Sequence, residues 1–376
     1  MRMTGPRETV RHYVAGGREH GGGIGRLVCY IVDHPRNRGR HTVVDTRGPR
    51  HSAIHSPQVL ALALMTMARD RIARPDMVHH LHIAGRGSTA RKLILGAFAR
   101  WTGARHVIHL HDYDYAQDVA RRPAWQRRRI ADLFRGADHV IVLGERDRAT
   151  VTDGLGVDPA RVSVVRNCVP DPGEAPARPQ GREASILFLG QLGPRKGVPE
   201  LIAALADAPM RPLAWRAVLA GDGPVEEYRA DVAANGLSER VVLTGWLGEA
   251  DTGALRAAAD ILVLPSRGEG FAMAVLEGLA STLAVVTTRV GAHDEILEDG
   301  KTCLFVPVGD ARALSCALAY LVSNEAARAR IARAGRALYC AELGIEGYVA
   351  RLGRLHAGLA RPVRRPGARR GVSPVG

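Results

Sequence analysis

Residues 261–280 read ILVLPSRGEGFAMAVLEGLA. An apolar run, ILVLPS, stops at the loop RGEG, and a helical pattern, FAMAVLEGLA, follows at once. The stretch is therefore a strand, a loop and a helix, with Glu269 in the loop and Glu277 in the second helical turn. At 100° per residue, an offset of eight leaves roughly 80° between two helical positions. Placing Glu269 in the loop relaxes the need for a common helical face. Carboxylates accept hydrogen bonds from hydroxyls and can hold paired hydroxyls bidentately, so the two glutamates suit a polyol ligand.

The same alternation extends in both directions. In the first half the spacing predicts strands at 10–15, 41–45, 76–83, 105–111, 139–144 and 161–165, with helices near 24–33, 57–73, 88–101 and 124–135. In the second half it predicts strands at 186–190, 217–221, 241–245, 261–265, 284–288 and 303–307. Helices are expected near 197–207, 224–235, 252–259, 271–280, 292–298 and 310–322. Between the halves lies PDPGEAPARPQGREA (170–184), rich in Pro, Gly and Ala and without periodicity, which reads as a linker. The expected organisation is an α/β chain of two doubly wound parallel sheets. Residues 1–169 form the first domain and 185–341 the second, followed by a helix at 342–360 and a basic, disordered tail at 361–376. Ligands of such sheets bind at the carboxyl ends of the strands, and two sheets facing each other make a cleft.

Composition narrows the class. The 376 residues suit two domains of ordinary size. No uncharged apolar run is long enough to span a bilayer, and the N-terminal stretch lacks the apolar core of a signal peptide. A cytoplasmic enzyme is expected. The five cysteines are scattered and never in C-x-x-C spacing, which argues against disulfides and a zinc site. The net charge of +14 is uneven: seven arginines and no acidic residue follow position 350, and Arg121, Arg122, Arg127, Arg128 and Arg129 surround Trp125. Such charge suits an anionic partner. Aromatic residues make up only 5% of the chain and no nucleic-acid module is present, so nucleic acid is not expected.

An anion site is legible in GQLGPRKGVPELIAAL (190–205). A glycine-bearing turn leads from a strand into a helix, so free N–H groups and the positive end of the helix dipole point at the strand ends. Arg195 and Lys196 add cations there. The chain has three lysines against 49 arginines, so a lysine at this point is more than composition. A second strand-to-helix turn, HIAGRGSTARK (82–92), carries Arg86, Ser88 and Lys92 and is expected to grip a phosphate on an acceptor. Helix capping by Ser88 is the alternative.

Taken in order, GQLGPRKG, LAGDGP, LTGWL, PSRGEGFAMAVLEGLA and GAHDEILEDGKTCLFVP resemble the retaining glycosyltransferases of family 4, which have the GT-B fold: two Rossmann-like domains facing across a cleft. The resemblance covers residues 185–340 and, more loosely, the first half. It implies that Arg195 and Lys196 hold the diphosphate of a nucleotide sugar, Glu269 its hexose and Glu277 its ribose. His111, in HLHDYDY (109–115), matches the histidine that contacts the donor sugar. Gly22 and Gly23, in GGREHGGGIGR (16–26), match the loop that approaches the donor. Gln191, Gly245, Trp246, Gly270 and Phe271 complete the implied donor site. Gln191 departs from the family, which has arginine there; it can donate a hydrogen bond but cannot neutralise charge. Ala272 and Gly278 exchange the usual Gly and Ala.

The implied activity is transfer of a hexose, with retention, to a saccharide acceptor, expected to be a lipid-diphosphate-linked one, in envelope or exopolysaccharide assembly. Asp112 and Asp114 spell D-x-D, a metal–diphosphate pattern of another glycosyltransferase fold. In GT-B enzymes cations and helix dipoles take the metal's place, so no metal and no cofactor is expected. The basic clusters fit a peripheral position on the anionic inner face of the plasma membrane. A nucleotide-sugar epimerase or phosphorylase of the same architecture would use the same donor site. A nicotinamide-dependent oxidoreductase would use GGGIGR with Asp45 about 20 residues on.

Overall fold

Each half of the chain folds around one parallel sheet. The structure, a computed structural model, describes residues 8–173 and 181–360. The expected tail at 361–376, and residues 174–180 of the expected linker, lie outside the described residues. The first half contains β1 (Val10–Val14), α1 (Gly22–Asp33), β2 (His41–Asp45), α2 (His55–Ala73), β3 (Val78–Ile83), α3 (Gly87–Thr102), β4 (His106–Leu110), α4 (Tyr115–Ala120), α5 (Ala124–Arg135), β5 (His139–Val142), α6 (Glu145–Ala149) and β6 (Val162–Val164). The second contains β7 (Ala184–Leu189), α7 (Val198–Ala206), β8 (Trp215–Ala220), α8 (Val225–Ala234), β9 (Val241–Gly245), α9 (Glu249–Ala258), β10 (Ile261–Leu264), α10 (Met273–Ala280), β11 (Ala284–Thr288), β12 (Leu304–Val306), α11 (Ala311–Ser323), α12 (Glu325–Leu338) and α13 (Ile345–Ala360).

The sheet orders are β2-β1-β3-β4-β5-β6 and β12-β11-β10-β7-β8-β9. All their pairings are parallel. The order reverses between β1 and β3 in the first sheet and between β7 and β10 in the second, which opens a crevice at those strand ends. β4 and β10 are buried at every position, as strands covered on both faces must be, and they read as continuous apolar runs apart from the histidines of β4.

Several elements differ from the expected pattern, the short helices α4 and α6 among them, which the sequence reading did not include. The helix expected near 292–298 is a single 3-10 turn, His293–Glu295. Its entry requires Gly291 at φ +58, where a Cβ would lie 2.0 Å from the Glu269 carbonyl oxygen. The sequence reading also missed α12, an Ala/Arg-rich helix whose start is capped by Asn324 accepting from the Ala327 N–H. The last helix, α13, returns to the first domain, where Tyr348 and Leu352 pack with Val10, Leu27, Val78, Val107 and Ile141.

Candidate functional site

The second domain's crevice holds the pair that the sequence singled out. From β7 the chain turns through Gly190–Gly193 into a 3-10 turn, Pro194–Lys196, and enters α7 through Gly197 in a left-handed conformation at φ +73. A Cβ at Gly197 would lie 2.2 Å from the Pro265 carbonyl oxygen, so only glycine lets this loop lie against the end of β10. Lys196 Nζ consequently reaches Glu269 Oε1 at 2.6 Å. The same oxygen accepts from Ser266 Oγ at 2.6 Å and lies 3.6 Å from Arg195 Nη1. Arg195 also donates to the Gly268 carbonyl at 3.0 Å. A nearly buried carboxylate thus sits among two cations and a hydroxyl at the sheet's topological switch point.

The first domain closes over this loop. The Arg195 guanidinium lies 5.4 Å from the centre of the Tyr113 ring. A Cβ on Gly268 would lie 2.5 Å from the Tyr113 ring, and one on Gly270 would lie 2.9 Å from Leu143 and 3.2 Å from the His111 carbonyl oxygen. The two glycines flanking Glu269 are there because the other domain is. Asn167 Nδ2 donates to the Phe271 carbonyl at 2.8 Å, and Glu295 Oε1 accepts from the Glu145 N–H at 2.8 Å, so both domains hold this edge. His111 is partly exposed at the end of β4, with burial of its surroundings pulling its pKa down to about 3.

Glu277 lies on α10 and is buried. Arg26 Nη1, from α1 of the first domain, stands 3.1 Å from Oε1, and Arg256 Nη1, from α9, stands 3.4 Å from Oε2. Burial raises the Glu277 pKa and the two guanidiniums oppose that rise. Gly22 and Gly23 form the first turn of α1 rather than a free loop, and Gly23 faces Met273 of α10. Beside Glu277 lies a cavity of about 210 Å³ lined by Tyr30, Glu249, Arg256 and Asp171 among others. Gln191 is exposed, and Trp246 is 75% exposed beyond Gly245 at the end of β9.

The residues expected to grip an acceptor are not held together. Arg86 is exposed and holds a left-handed backbone at φ +56, pinned by Asp118 accepting from its N–H at 3.0 Å. Ser88 Oγ accepts from the Ala84 N–H and does not cap α3. Lys92 is fully buried and donates to Thr46 Oγ1 at 3.1 Å; burial, then Arg91, pulls its pKa down to about 7. A direct grip by Lys92 on a surface phosphate is closed by that burial.

Asp112 accepts from the Gly85 and Tyr113 N–H groups, so the D-x-D carboxylates brace the 84–88 loop. Asp45 accepts from the Gly16, Arg47 and Gly48 N–H groups, which leaves it occupied by backbone rather than offered to a ribose. Among the described residues, two groups of three histidines bring ring nitrogens within 4.8 Å of one another: His12, His80 and His82, and His82, His109 and His111.

Residues 183–324 match the family described as Glycosyl transferases group 1, and residues 21–171 match Glycosyltransferase Family 4. The lipopolysaccharide core biosynthesis glycosyltransferase LpsE of Rhizobium meliloti is 30% identical over 326 residues, which cover 84% of this chain and 89% of that protein. The chain belongs to the GT-B glycosyltransferases related to family 4 and group 1. This glycosyltransferase is also similar to the glycogen synthase of Mycobacterium tuberculosis, at 27% identity over 83% of the chain and 75% of that protein. Its fold matches the structure of Anabaena HepE in complex with UDP and glucose, with a TM-score of 0.75, 18% identity, and coverage of 94% of this chain and all of that one.

Sequence reasoning missed Ser266, Tyr113, Arg26, Arg256 and Asn167. Ser266 had a usable signal, standing three residues before Glu269 at a strand end. The others come from distant elements and carry no local pattern.

Proposed function

We propose that the protein transfers a hexose from a nucleoside-diphosphate sugar to a saccharide acceptor, with retention at the anomeric carbon. The Lys196–Glu269 pair at the β7/β10 switch point carries this reading. The diphosphate would lie on the 190–197 loop, where backbone N–H groups, Arg195 and Lys196 meet the charge that develops on its departing oxygen. Glu269, released from Lys196 as the diphosphate takes over that cation, would accept from the hexose hydroxyls, with His111 across the cleft. Glu277 would take the ribose hydroxyls, and Trp246, exposed past the end of β9, would meet the base. Relatives support a nucleotide-sugar donor: one structural neighbour is seen with UDP and glucose, and a similar Mycolicibacterium smegmatis protein is named as a GDP-mannose-dependent mannosyltransferase.

The protein's part in the chemistry is preorganised positive charge and exclusion of water by the closed domains. No side chain needs to act as a nucleophile. Screening UDP-, GDP- and ADP-sugars for nucleotide release, then determining the anomeric configuration of the product, tests the reading. Retention with one donor supports it, and inversion overturns it.

The acceptor in this proposal is linked to a lipid diphosphate, in envelope glycan assembly, and the enzyme works at the inner face of the plasma membrane. No helix among the described residues is long and apolar enough to cross a membrane. The adjacent helices α2, α3 and α5 expose Leu62, Met65, Ile72, Ile94, Trp101 and Trp125, with Arg127, Arg128 and Arg129 beside the last. Apolar side chains rimmed by arginine suit an anionic surface. Sedimentation with phosphatidylglycerol vesicles should exceed that with phosphatidylcholine vesicles and fall with salt; equal sedimentation removes the membrane proposal.

A further inference from the structure

One face of the first sheet is lined with imidazole where such sheets ordinarily carry aliphatic side chains. His41 of β2, His12 of β1, His80 and His82 of β3, and His109 of β4 share it, with His111 just past the end of β4, and His356 of α13 closes over it. Four of them form an unbroken line. His41 Nδ1 lies 3.0 Å from His12 Nε2, His12 Nδ1 lies 3.0 Å from His82 Nε2, and His82 Nδ1 lies 2.9 Å from His111 Nε2. Every link joins an Nδ1 to an Nε2.

A neutral imidazole carries one N–H and one bare nitrogen. Burial holds these rings neutral: the pKa values of His12 and His82 are pushed far down, that of His41 to about 4 and that of His111 to about 3. Four rings then bring four protons to three links, and the fourth proton must stand at one end of the line. If every proton were on Nε2, the spare N–H would be that of His41, whose Nε2 is buried without a partner. If every proton is on Nδ1, the spare N–H emerges at His111 Nδ1, on a partly exposed residue at the cleft. An orphaned buried N–H is rarer in proteins than an under-used acceptor, and the cleft end can be met by water or ligand.

We infer that His82, with His12 and His41 behind it, is a positioning residue that fixes His111 as an Nδ1–H donor facing the cleft. The side branch has no such preference. His80 joins His356 and His109, and both outer nitrogens of that branch, His356 Nδ1 and His109 Nε2, are buried without a partner. A metal ion fits the group of His12, His80 and His82 less well. The His80 and His82 rings are parallel within 2° at 4.4 Å, so their in-plane lone pairs do not converge on one point. The functional consequence rests on the proposed place of His111 beside the donor sugar, where a fixed N–H would recognise a sugar oxygen as acceptor.

Long-range proton–nitrogen correlation spectra of the full chain, labelled with nitrogen-15 in the histidine rings, read each tautomer directly. The His111 signal is assigned by its loss in His111→Asn. His111 is expected as Nδ1–H, the minor form of free histidine in water; Nε2–H at His111 overturns the inference, as does stoichiometric zinc that is lost in His82→Leu. His82→Leu should let His111 relax toward Nε2–H and lower kcat/KM by about 10–100-fold, the range typical of supporting-shell residues. His82→Asn, whose amide N–H can replace Nδ1–H, should restore both. Should neither variant fold, the wild-type spectrum still decides the tautomer. An Nδ1–H His111 whose removal leaves donor KM and kcat unchanged would instead sink the reading of His111 at the sugar while leaving the tautomer assignment intact.

Discussion

Lys196 Nζ stands 2.6 Å from Glu269 Oε1, across the switch point of the second sheet. The two residues are 73 positions apart, and each is the other's partner: Glu269 is nearly buried, and Lys196 is the closest of its cations. A donor diphosphate would draw Lys196 away and free the carboxylate for the sugar. Lys196→Ala is therefore expected to lower kcat by about 100–1000-fold, the range for removing one preorganised charge stabiliser. Glu269→Ala should be of similar severity. Because the two contact each other, the double variant should lose less than the product of the single losses. Nucleotide release with the preferred donor measures all three, and strict multiplicativity would count against the pair acting together.

Gly268 touches the Tyr113 ring so closely that a methyl group cannot be added without moving one of them. Gly268→Ala should hold the domains apart at a cost of about 1–3 kcal/mol, as overpacking does elsewhere. The loss should appear in kcat/KM rather than in unfolding of either domain. Combining it with Tyr113→Ala makes room again, so activity should recover in part; a double variant no better than Gly268→Ala would place the damage within the loop itself.

How much of this was legible depends on how local each signal was. All twelve strands among the described residues could be read; the inner ones, covered on both faces, become short apolar runs such as ILVLP and AVVTT. Glu269 and Lys196 lie past strand ends in turns with distinctive glycines, and Glu277 follows on the helix after the Glu269 loop, so they could be placed too. α12 escaped because EAARARIARAGRAL buries only Ala327, Ile331, Ala332 and Gly335, and its arginines mask that narrow stripe. The partners of Glu277 escaped because Arg26 and Arg256 are ordinary helix arginines until two domains bring them to one carboxylate. VHHLHI and HVIHLH showed their alternating histidines plainly, yet only the strand register, His82 opposite His109, reveals that they share a face.

Lys92 predicts a pH dependence of stability. It is fully buried with its ammonium on the Thr46 hydroxyl, and burial, followed by Arg91, lowers its pKa to about 7 against an ordinary 10.5. Between those values the unfolded chain binds a proton that the folded chain has released, so folding stability rises with pH across that window. The burden is complete below about pH 7 and fades as pH approaches the ordinary lysine range, with a size on the order of 3–5 kcal/mol. Lys92→Met, close in volume and uncharged, should therefore stabilise the protein at pH 6 and do so much less at pH 10. Urea unfolding at the two pH values tests this, and an equal gain at both would mean that Lys92 is not held against its charge.

Arg26 and Glu277 make the opposite case, a buried carboxylate faced by cations from both domains. Arg26 contributes from 3.1 Å and Arg256 from 3.4 Å. Burial already raises the Glu277 pKa, and Arg26→Ala removes one of the two opposing guanidiniums, so it should rise further. A carboxyl whose folded pKa lies above its unfolded value, ordinarily about 4.3, subtracts nothing while pH stays below the unfolded value. Its cost grows as pH rises toward the folded value and is complete above it. Arg26→Ala should thus destabilise by about 1–3 kcal/mol at pH 8, with Arg256 still in place, and by clearly less at pH 4.5. Adding Glu277→Gln removes the charge that needs pairing and should recover most of the loss at pH 8. Urea unfolding of the single and double variants measures both effects; a penalty that is the same at both pH values and is not relieved by Glu277→Gln would show that Arg26 acts through packing of α1 against α10 instead of through charge.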